Sequence, residues 1–222
     1  MKIFINFISL TLFVLFTFIS CGSNTFIDAT VYEDAEDGST SKWEVWEGYP
    51  IQNVEIGANG SSRSIFVEEN WLRNEDGSFI KDDNDFPING AHYELPIHNN
   101  YQFILEFDKM RKAVEETELQ YCFTVGVKLN TKDGERHISF NTFYDKENIE
   151  ANAQWIIDGT VKELVFPLSM DYVDIENVWK HLQFNLVDYL NRLDPGNEII
   201  EVTAFYFQGG DDYLDNIRLV SE

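Results

Sequence analysis

The stretch DDYLDNIRLV, which runs from Asp211 to Val220, decides the fold. Apolar and polar residues roughly alternate along it, and a period of two is the pattern of a β-strand with one buried face. Carboxylates crowd its first half, at Asp211, Asp212 and Asp215. The chain is therefore predicted to end in an acidic β-strand. Strands from elsewhere in the sequence must pair with it to form a sheet.

Short β-like runs also fill most of the chain before this strand. Runs of apolar, aromatic and β-branched residues recur, and clusters of Gly, Asn and Asp separate them, which is typical of strands joined by turns. Strands are predicted near Ile51–Ile56, Arg63–Val67, Ala91–Leu95, Tyr101–Met110, Leu119–Asn130, Glu135–Phe143, Val161–Pro167, Trp179–Asn185, Ile199–Phe207 and Tyr213–Val220. Lys132-Asp133-Gly134 supplies a hairpin turn, because glycine adopts positive φ without strain.

Helical signal is confined to one place. Leu186, Leu190 and Leu193 have helical spacing, and Pro195-Gly196 ends the pattern, so a short helix is predicted at about 187–193. Elsewhere the many short strands and turn signals dominate. They favour an all-β fold, an antiparallel two-sheet β-sandwich of the jelly-roll kind with one short helix.

The N-terminus has the features of a secretory signal. Lys2 precedes an uncharged apolar stretch, Ile3–Ile19, and small residues follow, which is the order of regions in a signal peptide. A transmembrane anchor is the alternative, although the apolar stretch is at the short limit for spanning a bilayer. The segment FISC at 18–21 resembles a bacterial lipobox, which implies that Cys21 is lipidated and becomes the first mature residue.

Three segments are therefore expected: residues 1–20 as a lipoprotein signal peptide, 21–30 as a lipidated tether and 31–222 as one β-sandwich domain. Acyl chains on Cys21 would anchor the protein to the membrane of the cell envelope. Gly22 after the cysteine favours the outer membrane. Cys122 is then the one cysteine left, so an internal disulfide is excluded and the core has to hold the fold.

The chain carries a formal charge of −23. So acidic a surface repels phosphate backbones, which excludes nucleic acid as a partner. It suits neutral or cationic ligands and divalent metal ions. A solvated acidic surface without a ligand is the alternative explanation of the same charge.

Two segments at opposite ends of the domain carry short motifs. The opening segment has Glu36-Asp37-Gly38 followed by Trp43, and the closing strand reads DNIRL at 215–219. Together they resemble jelly-roll carbohydrate-binding modules and the related galactose-binding-like sandwiches. The stretch WKHLQFNLVDYLNRLDPGNEIIEVTAFYFQGGDDYLDNIRL, residues 179–219, is similar to the C-terminal half of such a module. The resemblance implies a jelly roll in which the first and last strands lie side by side.

The resemblance also implies a structural Ca²⁺ ion between the two ends of the domain. Carried over to this sequence, Glu36 and Asp215 are the side-chain ligands, and Asp34 is a weaker candidate. Ca²⁺ takes about six to eight oxygen ligands, and an ion held there would stabilise the folded state by mass action. Solvated turn residues are the alternative.

No catalytic motif stands out, so the sequence favours a protein that is not an enzyme. Carboxylate pairs such as Glu94 and Glu106 arise by chance in so acidic a chain. Arg136 and His137, with Tyr144 downstream, resemble only faintly the alginate lyases of sandwich fold. A cleft that pairs His137 or a tyrosine with Arg136 would favour a lyase. The four histidines lack the spacing of metal ligands.

Sugar binding needs aromatic platforms, because a pyranose ring presents apolar C–H patches that stack on Trp or Tyr. The candidates are Trp71 and Trp155, beside polar loops, together with Tyr93 and Trp46. We therefore expect a non-catalytic cell-envelope lipoprotein whose jelly roll binds glycan or polysaccharide. A polysaccharide lyase or glycoside hydrolase on the same fold is one alternative, and an adhesion or structural lipoprotein that contacts other proteins is another.

Overall fold

The computed structural model describes residues 28–47, 50–68, 72–81, 92–112, 122–143, 154–157, 161–168 and 176–222. The predicted signal peptide, the lipidation site Cys21 and the candidate platform Trp71 lie outside these residues. Within the described ranges, no helix is both long and apolar enough to cross a membrane.

The described residues form thirteen strands and one short helix. The elements are β1 Ala29–Glu33, β2 Glu44–Glu47, β3 Gln52–Val54, β4 Ser64–Val67, β5 His92–Asn99, β6 Ile104–Arg111, β7 Cys122–Thr131, β8 Gly134–Phe143, β9 Gln154–Ile157, β10 Val161–Pro167, β11 Lys180–Asn185, α1 Leu186–Leu193, β12 Ile199–Gly209 and β13 Asp212–Val220. A six-stranded sheet has the order β11-β6-β13-β4-β3, with β1 also paired to β13, and a seven-stranded sheet has the order β2-β5-β12-β7-β8-β10-β9. The predicted all-β, two-sheet sandwich with one short helix is confirmed.

The two sheets bury one apolar layer between them. Along β5, Tyr93, Leu95 and Ile97 are buried in the core, and the residues between them are more exposed, as the alternation of a strand requires. Phe107 of one sheet meets Phe205 of the other edge to face, with ring centroids 5.6 Å apart. Because of the same alternation, the side chains between these core residues point to the outer face of each sheet.

The first and last strands are neighbours. β1 runs antiparallel to β13, with Ala29 opposite Val220 and Thr30 opposite Leu219. Because β13 also pairs with β6 and β4, the closing strand lies inside its sheet. The predicted side-by-side arrangement of the two ends is confirmed. The sandwich begins at Ala29, so the end of the predicted tether belongs to the first strand.

One strand pair departs from the antiparallel prediction. β10 runs parallel to β8, with Glu163 opposite His137 and Val165 opposite Ser139. Parallel neighbours need a crossover connection, and the short strand β9 lies within this one and pairs antiparallel with β10. A hydrophobic pattern shows where a strand is but not its direction, so this reversal was not predictable from the sequence.

The helix α1 follows β11 directly. Asn185 caps it, because its side-chain oxygen accepts hydrogen bonds from the backbone N–H groups of Val187 and Asp188, which a helix leaves unpaired at its N-terminus. Leu186 and Leu190 are buried. The predicted helix is confirmed, and it begins at Leu186.

Candidate functional site

The outer face of the seven-stranded sheet carries a concentration of polar and aromatic side chains. Residues paired laterally across a sheet point to the same side, so the strand register arranges these side chains in three rows. The first row is His92, Gln208, Thr124 and Asn141; the second is Glu94, Tyr206, Gly126 and Ser139; the third is Pro96, Ala204, Lys128, His137 and Glu163. These three rows are called the polar face below.

Tyr206 lies at the centre of the polar face, across Gly126. A Cβ atom on Gly126 would lie 2.4 Å from Cζ of Tyr206, so only glycine leaves room for the ring. His92 stacks on Tyr206 with centroids 5.4 Å apart and 16° between the planes, and His137 approaches with a centroid distance of 5.9 Å. Because Gly126 has no side chain, the ring of Tyr206 packs over its backbone, and the rings of His92 and His137 lie beside that of Tyr206.

Trp46 extends this group of rings to the edge of the sheet. It lies on the edge strand β2, and 60% of its surface is exposed. Its ring centroid is 5.2 Å from that of His92, and Nζ of Lys128 lies 4.8 Å from the ring centroid. Trp46 stays a predicted ligand platform, and its ring is accessible from solvent.

The charged groups of the polar face form an ion pair and a hydrogen bond with neighbouring side chains. Lys128 pairs with Glu94, and the hydroxyl of Tyr206 donates to Glu163 at 3.2 Å. Burial, together with the charge of Glu163, raises the pKa of Tyr206 well above its usual value. The phenol therefore stays neutral at neutral pH and acts as a hydrogen-bond donor.

Three buried polar atoms of the polar face have no hydrogen-bond partner: Nε2 of His92, Oγ of Ser139 and Oδ1 of Asn141. Burial, and next the charge of Lys128, lowers the pKa of His92, so its imidazole is neutral at neutral pH. A buried polar atom without a partner costs about 1–3 kcal/mol, and native folds contain few of them. The polar face therefore holds hydrogen-bonding capacity that the fold itself does not use.

Tyr93 was wrongly predicted as a ligand platform. Its side chain is fully buried and packs against Phe207 at a centroid distance of 6.4 Å. Its neighbours on β5, His92 and Glu94, point to the polar face instead, because successive residues of a strand alternate. Trp155 lies on strand β9, but its side chain is not among those described, so its role stays a prediction.

Of the predicted calcium ligands, Glu36 is bound by a loop of the protein, residues 57–63, here called the clasp loop. Its Oε1 accepts hydrogen bonds from Oγ of Ser61 and from the backbone N–H groups of Ser62 and Arg63, and its Oε2 accepts from Oγ of Ser62. These bonds lower the pKa of Glu36 from 4.5 to about 2, with Ser61 and Ser62 contributing most. Donors of the clasp loop thus engage both carboxylate oxygens.

Asp215 is held by the other end of the clasp loop. Its Oδ2 accepts from the backbone N–H of Ala58 at 2.9 Å and its Oδ1 from that of Asn216 at 2.7 Å. Asp34 accepts from the backbone N–H of Glu36 at 3.2 Å. The clasp loop thus connects Glu36 of the opening segment with Asp215 of the closing strand through hydrogen bonds.

The predicted Ca²⁺ ligands Glu36 and Asp215 both accept hydrogen bonds from the clasp loop. Among the described residues, no three His, Cys, Asp or Glu side chains are grouped so that they could hold a metal ion. The predicted site relies on two carboxylates together with backbone carbonyls, so the calcium ion stays a prediction from the sequence.

The arrangement proposed for a lyase is not formed. Arg136 is buried on the opposite side of β8 from His137, and its Nε donates to Asp194 at 2.7 Å. His137 instead approaches Tyr206 on the polar face. A cleft that pairs Arg136 with His137, which would have favoured a lyase, is therefore not formed, since a one-residue step along a strand reverses the side.

Several residues of the polar face were missed by the sequence analysis. Tyr206, Lys128 and Asn141 come from three different strands, and each occupies one outward position in an otherwise apolar run. No local motif connects them. Gly126 carried a usable signal, because a glycine inside the strand CFTVGVKL marks a close approach by another group.

No family model matches the sequence. No curated protein matches it either. Solved structures that it resembles are carbohydrate-binding modules of β-sandwich fold. One is described in a study of the promiscuous specificity of carbohydrate-binding modules from the β-sandwich superfamily; identity is 12% over 85% of this chain, the TM-score is 0.41, and the chain spans 60% of the length of that structure.

Two further similar structures are of comparable length to this chain. The family 11 carbohydrate-binding module from Clostridium thermocellum, in complex with a β-1,3-1,4-mixed-linked tetrasaccharide, is 9% identical with a TM-score of 0.43, covering 87% of this chain and 95% of that one. A xylan-binding domain from Paenibacillus barcinonensis is 14% identical with a TM-score of 0.41, covering 88% and 97%. Likenesses this weak carry no argument about the site, which has to be argued from its own geometry.

Proposed function

We propose that the polar face binds glycan and that the protein does so without cleaving it. The observation that carries the proposal is a buried, unpartnered polar atom on His92 beside the exposed ring of Trp46, with a second such atom on Asn141 at the other end of the same row. A sugar presents both kinds of complementary surface. Its apolar C–H patches stack on an aromatic ring, and its hydroxyls donate to and accept from side chains of the Asn and His type.

The ligand we propose is uncharged. The polar face holds Lys128 beside Glu94 and also Glu163, and the whole chain is strongly acidic. An anionic polymer would be repelled by this field, while hydroxyl groups of a neutral polymer form hydrogen bonds with either sign of charge. Neutral glycans are therefore expected to bind more tightly than uronate or sulfated ones.

Binding without cleavage is supported by the state of the two carboxylates on the polar face. Hydrolysis of a glycoside needs one carboxyl group as acid and a second as base or nucleophile. Glu94 is paired with Lys128, and Glu163 accepts from the hydroxyl of Tyr206. Each carboxylate is engaged by a neighbour, as expected of groups that organise a binding surface.

A catalytic function on the same face is the second candidate. It is favoured by one observation, the approach of His137 and Tyr206, whose hydroxyl bonds to Glu163. Tyrosine and histidine serve as general acids and bases when they reach a reacting group. A polysaccharide lyase or glycoside hydrolase would act through these groups.

The proposed place of action is the cell envelope. A lipid on Cys21, in the segment FISC, would anchor the protein, and Gly22 after it favours the outer membrane. The acidic sandwich would then present its polar face to polysaccharide.

A glycan array probed with protein that lacks residues 1–21 tests the proposal, followed by a search for released products. We expect binding to neutral polysaccharides and no shortened products. Absence of binding to every glycan would overturn the proposal, and turnover of a bound polymer would establish the catalytic candidate. A parallel array with chelator tests the calcium prediction: loss of binding or of thermal stability would support a bound ion, and no change would oppose it.

A further inference from the structure

A lysine and an aspartate meet between the two sheets, away from the polar face. Nζ of Lys109 lies 3.0 Å from Oδ1 of Asp212, and neither side chain has any exposed surface. Lys109 belongs to β6, and Asp212 is the first residue of β13. Because Lys109 is opposite Leu214 and Asp212 is opposite Arg111 in the register, the two side chains are diagonal neighbours across adjacent strands.

Two apolar side chains of the core lie near the lysine. Nζ of Lys109 lies 4.1 Å from the centroid of the Phe123 ring, which belongs to the core of the opposite sheet. Leu214, opposite Lys109 in the register, is also fully buried. Two full charges kept away from water carry a desolvation cost that their attraction offsets only in part.

Passing one proton from an ammonium to a carboxylate removes both charges and leaves an amine facing a carboxylic acid. These are the two partners of amide formation. Fixed side chains in a dry core also hold the reacting groups in contact, and such proximity replaces a slow encounter by an intramolecular step. The interior of the sandwich therefore supplies the contact between the two groups and their fixed orientation.

We propose that Lys109 and Asp212 condense to an isopeptide bond within the folded protein. Nζ of Lys109 attacks Cγ of Asp212, so an N–C bond forms and one C–O bond of the carboxyl group breaks. The departing oxygen leaves as water, taking one proton from the acid and one from the amine. No electrons are transferred and no co-reactant is required.

The bond would join β6 covalently to β13, the closing strand. These strands are neighbours at the centre of the six-stranded sheet, and β13 also pairs with the first strand. A covalent connection closes a loop of about a hundred residues in the unfolded chain, which reduces its conformational entropy in the way a disulfide does. A chain with a single cysteine beyond Cys21 would gain a cross-link that reducing agents do not break.

Mass spectrometry of the full chain after protease digestion tests this proposal. We expect one cross-linked peptide that contains both Lys109 and Asp212 and is lighter than the sum of its two parts by one water molecule. Trypsin should also fail to cleave after Lys109. Recovery of the two peptides separately, each with its full mass, would overturn the proposal.

The variant Lys109→Arg is the matched control. It keeps the positive charge and the length of the side chain, but a guanidinium is too weak a nucleophile to form the amide. The two peptides are expected to separate with full mass in this variant. If the light, joined peptide persisted, a different pair would be cross-linked and the assignment to Lys109 and Asp212 would be refuted.

Discussion

The two outer faces of the sandwich differ in how their polar groups are satisfied. On the six-stranded sheet, Glu106 accepts from Gln183 and Arg218, both at 2.7 Å. Asp108 on the same sheet lies 3.0 Å from Nδ1 of His181 and accepts from Asn216 at 2.8 Å. On the polar face of the seven-stranded sheet, His92, Ser139 and Asn141 each have a buried polar atom without a hydrogen-bond partner, compared with one described residue, Ser64, on the outer face of the six-stranded sheet.

Polar groups that are hydrogen-bonded within the fold stabilise it, while polar groups without a partner are available to a ligand. Polar clusters that satisfy one another fix the strands and leave little to offer a partner. Unsatisfied buried atoms next to an exposed aromatic ring lower the stability of the unliganded fold and are compensated when a ligand pairs with them. We therefore attribute stability to the polar groups on the outer face of the six-stranded sheet, and glycan binding stays our proposal for the polar face.

The largest loss of stability is expected for a substitution on the outer face of the six-stranded sheet. Asp215→Ala removes the acceptor of the backbone N–H groups of Ala58 and Asn216, and leaving these donors unpaired should lower the free energy of unfolding by about 2–4 kcal/mol. Denaturant unfolding measures this. Asp34→Ala, which loses a single bond at 3.2 Å, is the control, with a change within about 0.5 kcal/mol.

The glycan affinity of the Asp215→Ala variant tests whether the two outer faces have separate functions. At a temperature where the variant remains folded, its affinity should equal that of the wild type, because Asp215 belongs to the other sheet. A large loss of affinity in the folded variant would mean that the two faces are not separate in function.

Gly126→Ala should affect stability and binding together. The added methyl group would lie 2.4 Å from Cζ of Tyr206 and 2.6 Å from the backbone oxygen of Ile138. Relieving this overlap should cost about 1–3 kcal/mol of stability and displace Tyr206 from the centre of the polar face. Unfolding and glycan titration measure the two effects, and unchanged values of both would contradict the position of Tyr206.

Trp46→Ala should weaken glycan binding without altering stability. Loss of one stacking surface is expected to cost about 1.4 kcal/mol, or roughly tenfold in affinity. Tyr101 is a matched control, since it is 58% exposed compared with 60% for Trp46 and lies outside the polar face. Equal losses of affinity in Tyr101→Ala and Trp46→Ala would argue against a specific site.

Glu36→Gln should produce the smallest change, visible as a pH dependence. Hydrogen bonds from Ser61 and Ser62 lower the pKa of Glu36 from 4.5 to about 2, so its contribution to stability is present above pH 4.5 and is lost as the pH falls towards 2. The wild type should therefore lose more stability than the variant across this window in denaturant titrations. Parallel curves would show that the clasp loop does not hold the carboxylate.

The strands were predictable because each is a local pattern. The run from Ile104 to Arg111 and the closing strand show their alternation within a few residues. The resemblance of the two ends to jelly-roll modules implied that the first and last strands are neighbours, and the pairing of β1 with β13 confirms it. Weak alternation in Ala29–Glu33 and Glu44–Glu47 explains why these short strands were missed.

The polar face was not predictable because it is assembled by register. His92, Tyr206 and Asn141 come from strands that are far apart in the chain, and only pairing brings them into adjacent rows. Tyr93 was predicted as a ligand platform but lies in the core, because the sequence did not show which side of its strand is buried. An aromatic residue suits a core or a platform equally well, and one step of alternation decides between them.

A crystal structure with an oligosaccharide selected from the glycan array would show where glycan binds. We expect a sugar ring against Trp46 or the adjoining rings of His92 and Tyr206, with a hydroxyl bonded to Oδ1 of Asn141 or Nε2 of His92. Sugar bound to the outer face of the six-stranded sheet, with the polar face unoccupied, would refute glycan binding at the polar face.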